Sequence, residues 1–432
     1  MISFAPTLPF IITFVLTSVA ILQFIKIRFR QSGILQTRVW YNNLFSAWFL
    51  NIVCFGGLAI YFMYRYHFIT DDVNYFYGAD EFTKGFFEIS TGTEFMCYIT
   101  KPLKTVFHLD RPALHTLFGT LGFIGSMNYL TVYMKRSDML DADAYIFNRL
   151  AFFMLLCFPN FMLWGRVFGK DSTMFFLASL LVIGAYRLIE KNEINIFYVF
   201  LVIGPLYIMQ LIRPHVAGVI AAAFGAGYIA KVYRIRSRNI GIMALAKIYV
   251  PIILIVVMTV FIGSSLRKLG VAKNNEEITA EAMQDKIMAS TMMGGYGGSS
   301  TELASEMKEN PRIIFQPQQI AKNIGYLLFA PLPWQVRGGA DALAFLSNVI
   351  LFYLLYKYGR KIKIYDPAQI FFLAATGGLM VLLSFMTGNI GLLLRQKTIL
   401  LPFLFLLLFS RPVQDQVEEH VEEESDDDQQ RS

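Results

Sequence analysis

An acidic pair and several basic residues stand beside apolar segments of this sequence, and these residue types could act on a hydroxyl and a phosphate. Asp71 and Asp72 follow the second apolar segment. A carboxylate can take the proton of an acceptor hydroxyl, or it can hold a divalent cation beside a phosphate leaving group. The same pair would also suit the N-cap of a short helix. The sequence therefore leaves a catalytic and a capping role open.

The basic residues of interest lie in short links or at the ends of apolar segments. They are Arg166, Lys170, Arg213, His215 and Arg395. Arginine can bind a phosphate through paired hydrogen bonds, and histidine can pass a proton near neutral pH. Simpler roles stay open: Pro214 suits a first helical turn, Asp171 or Ser172 suits an N-cap, and Arg395 could snorkel from a position before the last helix.

Two aromatic residues complete the candidate set. Tyr75 follows the acidic pair, and Trp334 lies in a proline-rich segment, 331–335, that we expect to be rigid and re-entrant. Tyr75 is a candidate contact for an acceptor or a sugar. Trp334 is either a platform for a sugar or an anchor at the membrane interface, where aromatic residues are enriched.

The elements that must position these residues are apolar helices. Of the 432 residues, 55% are hydrophobic and 16% are charged, which is too apolar for a soluble protein. Apolar runs near the length of a membrane span predict an all-α polytopic membrane protein with about eleven transmembrane helices. We place these near 7–26, 44–64, 113–133, 150–165, 172–187, 195–212, 214–230, 247–266, 340–356, 367–386 and 397–410.

Loop charge predicts the orientation. Lysine and arginine cluster in alternate connections, which the positive-inside rule assigns to the cytoplasm. The opposite face then carries two long external loops, about 65–112 and 267–339, and all of the candidate residues. Residues 1–410 form the transmembrane domain, and 411–432, with nine acidic residues, form a disordered cytoplasmic tail. Ionisable groups at membrane depth are costly and usually functional.

Several classes of function are disfavoured. The three cysteines are scattered, and the sequence has no nucleotide-binding glycine motif, no HExxH and no CxxC pair. The basic residues fit membrane topology, so we expect no nucleic-acid partner.

Short interfacial helices are expected in loop 65–112. The glycine-rich segment 292–300 is either a mobile lid or a disordered loop.

These patterns resemble the GT-C class of membrane glycosyltransferases and bacterial surface-polysaccharide polymerases. The acidic pair with its following aromatic residues carries the resemblance, together with three further stretches: Pro159 to Asp171, Arg213-Pro214-His215, and Asn389 to Arg395. The resemblance implies a GT-C-like fold in the bacterial inner membrane and a polyprenyl-linked sugar donor with a glycan acceptor. It also implies that Asp71 or Asp72 is the catalytic base.

On this reading His215 assists as a catalytic residue, and Arg166, Lys170, Arg213 and Arg395 bind the lipid phosphate. No cofactor is established, and a divalent cation stays open. Single-sugar transfer and polymerisation also both stay open. A transporter of a lipid-linked sugar is the main alternative, although the absence of an evident internal repeat counts against one common transporter architecture. A membrane scaffold without catalysis is a third hypothesis.

Overall fold

The computed structural model describes residues 7–30, 38–51, 71–83, 91–136, 153–191, 195–234, 316–336, 339–362, 366–385 and 390–409. Within these ranges the chain is helical and contains no β-strand. The predicted helix near 247–266, the glycine-rich segment 292–300 and the acidic tail 411–432 lie outside the described residues.

The described helices are numbered here in chain order. They are α1 (Leu8–Arg30), α2 (Arg38–Phe49), α3 (Asp71–Glu81), α4 (Thr93–Thr105), α5 (Arg111–Arg136), α6 (Pro159–Trp164), α7 (Lys170–Ile189), α8 (Ile196–Ile212), α9 (Pro214–Arg234), α10 (Pro317–Phe329), α11 (Gly339–Tyr358), α12 (Pro367–Ser384) and α13 (Ile390–Phe409). A helical stretch, 153–157, precedes α6, and short 3-10 turns follow α10 and α11.

Most of these helices lie close to their predicted ranges, with two corrections. Gly169 is the N-cap residue of α7, so the capping role predicted for Asp171 or Ser172 is wrong. α13 begins at Ile390 rather than near 397, which places Arg395 inside the helix and not before it. Pro214 occupies the first position of α9, as predicted.

The two long predicted loops contain helices of their own. α3 and α4 lie in loop 65–112, where short helices were expected. α10 lies in loop 267–339 and was not predicted, because its polar residues interrupt the apolar run. Two of those polar residues, Gln319 and Asn323, are buried one turn apart and hydrogen-bond each other at 2.9 Å.

Helix α7 is the central element of the packing. It packs against α5 and α8 along its length and also touches α9, α12 and α13. Aromatic side chains fill the space between these helices: the ring of Phe161 lies 5.0 Å from that of Phe175 and 5.9 Å from that of Phe405. This buried apolar centre fixes where the ends of α7 lie.

Among the described helices, four are long and apolar enough to cross a membrane. They are Leu8–Ile27, Lys170–Ile189, Pro214–Tyr233 and Pro367–Ser384, and two shorter apolar helices are Phe153–Trp164 and Ile196–Ile212. Large apolar side chains are exposed on several of them, including Val15 and Leu16 on α1 and Phe200 on α8. These features are compatible with a membrane protein.

Each end of α7 carries an ionic cluster built around an arginine. The two ends of the helical bundle are named here after these arginines, as the Arg136 end and the Arg395 end. The Arg136 end is where α5 and α7 finish and α12 begins. There the buried guanidinium of Arg136 bonds Glu190 and, at 2.8 Å, Asp366, the N-cap residue of α12. The Arg395 end is where α5, α7, α9 and α13 begin.

A buried lysine joins α13 to two other helices. Lys397 of α13 donates hydrogen bonds of 3.1 and 3.0 Å to the carbonyl oxygens of Leu328 and Ala330, at the end of α10. Its third bond, also 3.0 Å, goes to Oδ1 of Asn348 in α11, whose own amide donates to the carbonyl of Phe329. The ammonium group thus satisfies carbonyls that the end of α10 leaves open.

Candidate functional site

Four charged residues from four different parts of the chain meet at the Arg395 end. Asp171, in the first turn of α7, stands between two arginines. Its Oδ2 accepts a 3.0 Å hydrogen bond from Nε of Arg395, and its Oδ1 lies 2.7 Å from Nη2 of Arg213. Arg395 also donates from Nη2 to Asp71 at 2.7 Å. One chain of ion pairs therefore runs Asp71, Arg395, Asp171, Arg213.

The fold holds Arg395 in place through contacts of its own helix. Asn160 of α6 donates to the carbonyl of Leu394 at 3.0 Å and to the hydroxyl of Thr398 at 2.9 Å, which fixes the register of α13 against α6. The guanidinium carbon of Arg395 also lies 5.5 Å from the centre of the Trp164 ring, a cation–π distance. Arg395 is thus held from three sides.

The second member of the acidic pair has other partners. Oδ2 of Asp72 accepts hydrogen bonds from Nε and Nη2 of Arg111, at 3.1 and 2.6 Å, and lies 3.2 Å from Nε2 of His115. Nδ1 of His115 in turn accepts the backbone N–H of Phe168 at 3.0 Å. A second polar chain therefore connects α3, α5 and the turn that precedes α7.

The two acids consequently differ in environment. The side chain of Asp71 is 49% exposed, whereas that of Asp72 is 2% exposed. Burial alone would raise the pKa of Asp72, but its hydrogen bond with His115, and then the charge and hydrogen bonds of Arg111, lower the pKa below its ordinary value. Asp72 is a buried, stabilised carboxylate, and Asp71 is accessible.

Tyr75 lies beneath this cluster with its hydroxyl group buried. Its ring packs edge-on against Phe168 at 5.9 Å, and Nζ of Lys170 lies 5.6 Å from its centre. Burial raises the pKa of Tyr75 far above its ordinary value, and the charge of Asp71 raises it further, so the hydroxyl keeps its proton. Among the described residues this hydroxyl has no hydrogen-bond partner.

Further polar atoms stand near the start of α9. Nη1 of Arg213 and Nε2 of His215 are both buried and have no hydrogen-bond partner within the part of the chain that the structure describes. Lys170 is half-buried, and its ammonium donates to Oγ1 of Thr93 at 3.0 Å. The Arg395 end therefore offers Arg213 Nη1 and the Tyr75 hydroxyl as unused donors.

Two of the candidate residues have different surroundings. Arg166 is fully buried between the rings of Phe123 and Phe175, and it donates to Asn51 at 3.0 Å and Ser126 at 2.6 Å. Trp334 is 77% exposed in the 3-10 turn after α10. Within the described residues neither side chain contacts the ionic chain, so the structure does not bring these two residues together with it.

Sequence reasoning missed Arg111 and His115. They lie four residues apart in the first turns of α5 and both contact the same oxygen of Asp72. Residues at this spacing share one face of a helix, and that was the available signal. It was overlooked because the apolar run appeared to begin at Ala113, which placed Arg111 in a loop.

No protein-family model, curated protein or solved structure matches the chain. Within the described ranges, no group of three or more His, Cys, Asp or Glu residues could hold a metal ion. The fold and site together define a class: a chain that is helical across the described ranges, with helices suited to a membrane and an ion-paired cluster of acids and arginines at one end.

Proposed function

We propose that this chain is a membrane glycosyltransferase or polymerase that acts on polyprenyl-linked sugars at the external membrane face, in bacterial surface-polysaccharide biosynthesis. The observation that carries the proposal is the ionic chain at the Arg395 end. It sets a half-exposed carboxylate in an ion-paired chain with two arginines, a combination suited to glycosyl transfer from a lipid phosphate.

Asp71 is the member of the acidic pair suited to act as the base. Its carboxylate is accessible, and Arg395 holds one of its oxygens in place at 2.7 Å. It would accept the proton of the acceptor hydroxyl as the hydroxyl oxygen bonds to the anomeric carbon of the donor sugar. Asp72 is buried and already accepts three hydrogen-bonding contacts, so its role is to hold the start of α3.

The lipid phosphate would leave with the electron pair of the broken glycosidic bond, and its negative charge needs cations and donors. Arg213 contributes the charge of its guanidinium, and Lys170 contributes an ammonium that donates to a threonine hydroxyl and lies over the Tyr75 ring. Arg395 adds positive charge, but its Nε and Nη2 groups already donate hydrogen bonds to Asp171 and Asp71. Preorganised donors of this kind are usually a large part of catalysis.

The test uses the full chain in lipid nanodiscs with a polyprenyl-linked glycan extract from its own host. Products are followed by mass spectrometry for the wild type, Asp71→Asn and Asp80→Asn. Asp80 is the matched control: it is on the same helix, it is 53% exposed, and it pairs with Lys104. We expect Asp71→Asn to lose about 100-fold or more in rate and Asp80→Asn to keep wild-type rate.

The form of the product separates the two kinds of enzyme. Mass added in single-sugar steps indicates a transferase, and mass added in whole repeat units indicates a polymerase. If no new mass forms while the lipid-linked glycan crosses the bilayer, the protein is a transporter and the enzymatic proposal is wrong. Equal rates for Asp71→Asn and the wild type would remove Asp71 as the base.

A further inference from the structure

We infer that His115 is a positioning residue, which locks the start of α3 to the turn before α7 and so holds the Asp71 carboxylate against Arg395. This inference rests on the proposed function. His115 touches none of the groups that would react, and it is 4% exposed. Its effect must therefore pass through Asp72 on one side and Phe168 on the other.

The hydrogen bonds of His115 determine where its proton lies. The backbone N–H of Phe168 points to Nδ1, so Nδ1 must present a lone pair and cannot carry hydrogen. The single proton of the neutral ring is then on Nε2, which donates it to Oδ2 of Asp72. Each nitrogen thus has one fixed role, and the ring links a carboxylate to a backbone amide.

On the Asp72 side, this link orients the first turn of α3. Arg111 and His115 approach the same oxygen of Asp72 from one face of α5. Asp71 is the adjacent residue in the same turn, so anchoring Asp72 also limits the positions open to the Asp71 carboxylate. The buried anchor therefore holds the exposed base.

On the Phe168 side, the link orients the start of α7. The Phe168 ring packs against Tyr75 of α3 at 5.9 Å, and against His115 and Phe118 of α5 at 6.1 and 4.9 Å. Asp171 follows Phe168 by three residues and accepts from Arg395. His115 accordingly connects the start of α3, which carries Asp71, to the start of α7, which carries Asp171.

Two substitutions separate the two bonds of His115. His115→Gln can place an amide nitrogen near the Nε2 position and keep the donor to Asp72, but it loses the acceptor for Phe168. His115→Asn can keep an acceptor near the Nδ1 position and lose the donor. We expect each to lower the turnover number about 10-fold, with the KM for the lipid-linked donor within about twofold, because Arg213 and Lys170 are unchanged.

A double-mutant cycle tests whether His115 acts through Asp72. Asp72→Asn combined with His115→Asn should be no slower than the slower single variant, because both remove the same bond between His115 and Asp72. Thr116→Val is the control: it is buried beside His115, and its hydroxyl bonds only the local carbonyl of Pro112. We expect this control to keep wild-type kinetics.

A spectroscopic readout does not depend on activity. In ¹⁵N-histidine-labelled protein, the signal that disappears in His115→Gln should belong to a neutral ring protonated at Nε2. A proton on Nδ1 would overturn the inference. So would a wild-type turnover number in His115→Gln, which would leave the proposed function standing. A wild type that forms no product would overturn the proposed function, and the catalytic consequence inferred here would fall with it.

Discussion

At each end of α7 an arginine bonds two carboxylates, but the two clusters differ in how far solvent reaches them. At the Arg136 end, one arginine that is 1% exposed bridges two carboxylates. At the Arg395 end, the bridging arginine is 21% exposed and one of its two carboxylates is 49% exposed. The first cluster joins the ends of three helices in the interior, whereas the second includes a carboxylate and an arginine that solvent can reach.

This difference indicates a division of roles. A buried ion pair contributes mainly by avoiding an uncompensated charge, so removing one partner costs folding stability. An exposed pair contributes little to stability, which leaves its charges available to a ligand. We therefore expect substitutions at the Arg136 end to affect stability and those at the Arg395 end to affect activity.

The largest effect is expected from replacing the two bridging arginines by alanine. Arg136→Ala leaves Glu190 and Asp366 facing each other and should cost about 4 kcal/mol of folding free energy. Arg395→Ala should change the melting temperature little, because Asp171 keeps Arg213, but it should lower the turnover number about 100-fold. Thermal unfolding in detergent and the nanodisc assay measure the two effects. Loss of activity per folded molecule in Arg136→Ala would break the comparison.

A smaller effect is expected from glycines packed near each end. A Cβ on Gly122 would lie 1.8 Å from the carbonyl oxygen of Gly165, in the turn before α7, so Gly122→Ala should cost about 3 kcal/mol and also lower activity. A Cβ on Gly227 would lie 2.9 Å from the carbonyl oxygen of Pro367, at the Arg136 end, so Gly227→Ala should lower the melting temperature alone.

Gly377→Ala is the control for both glycines, since a Cβ there meets nothing within 4 Å. Alanine favours a helix over glycine, so the control should be neutral or slightly stabilising. Circular dichroism during heating, with the nanodisc assay on the folded fraction, distinguishes these results. Full activity in Gly122→Ala would mean that the turn before α7 tolerates displacement.

The smallest expected effect is a difference in pH dependence between the ends. The lowered pKa of Asp72 means that its carboxylate stabilises the fold above its unfolded pKa of about 4, and that this stability is lost as the pH falls through the folded pKa. Asp72→Asn should therefore lower the free energy of unfolding by about 2 kcal/mol at pH 7. The difference from the wild type should become smaller as the pH falls.

Glu190 should behave in the opposite way. Burial raises its pKa more than Arg136 lowers it, so the protonated form is favoured in the fold, and that contribution is lost as the pH rises through the folded pKa. Relative to the wild type, Glu190→Gln should therefore become more stable as the pH rises. Melting temperatures of both variants from pH 4 to 8 test this, and parallel curves would contradict it.

The sequence predicted the helices better than it predicted the contacts. Apolar length and loop charge placed α7, α8 and α9 to within a few residues and grouped Asp71, Arg213 and Arg395 at one end. The direction in which a side chain points depends on packing, which no local pattern records. Arg166, four residues before Lys170, therefore turns into the core, towards Asn51 and Ser126, and not towards the ionic chain.

The α3 region shows the same limit. Asp71 and Asp72 are identical and adjacent, and nothing in the sequence distinguishes them. Helical geometry sends consecutive residues in different directions, so one meets α13 and the other meets α5. The roles of base and anchor could therefore be assigned only once the neighbouring helices were in place.

Lys397 has a consequence for how three helices are joined. Its Nζ donates to three neutral oxygens, from Leu328, Ala330 and Asn348. Because this donor is covalently part of α13, it cannot dissociate when the solution around the protein is diluted. The junction of α10, α11 and α13 is thus held by a donor that the chain itself supplies.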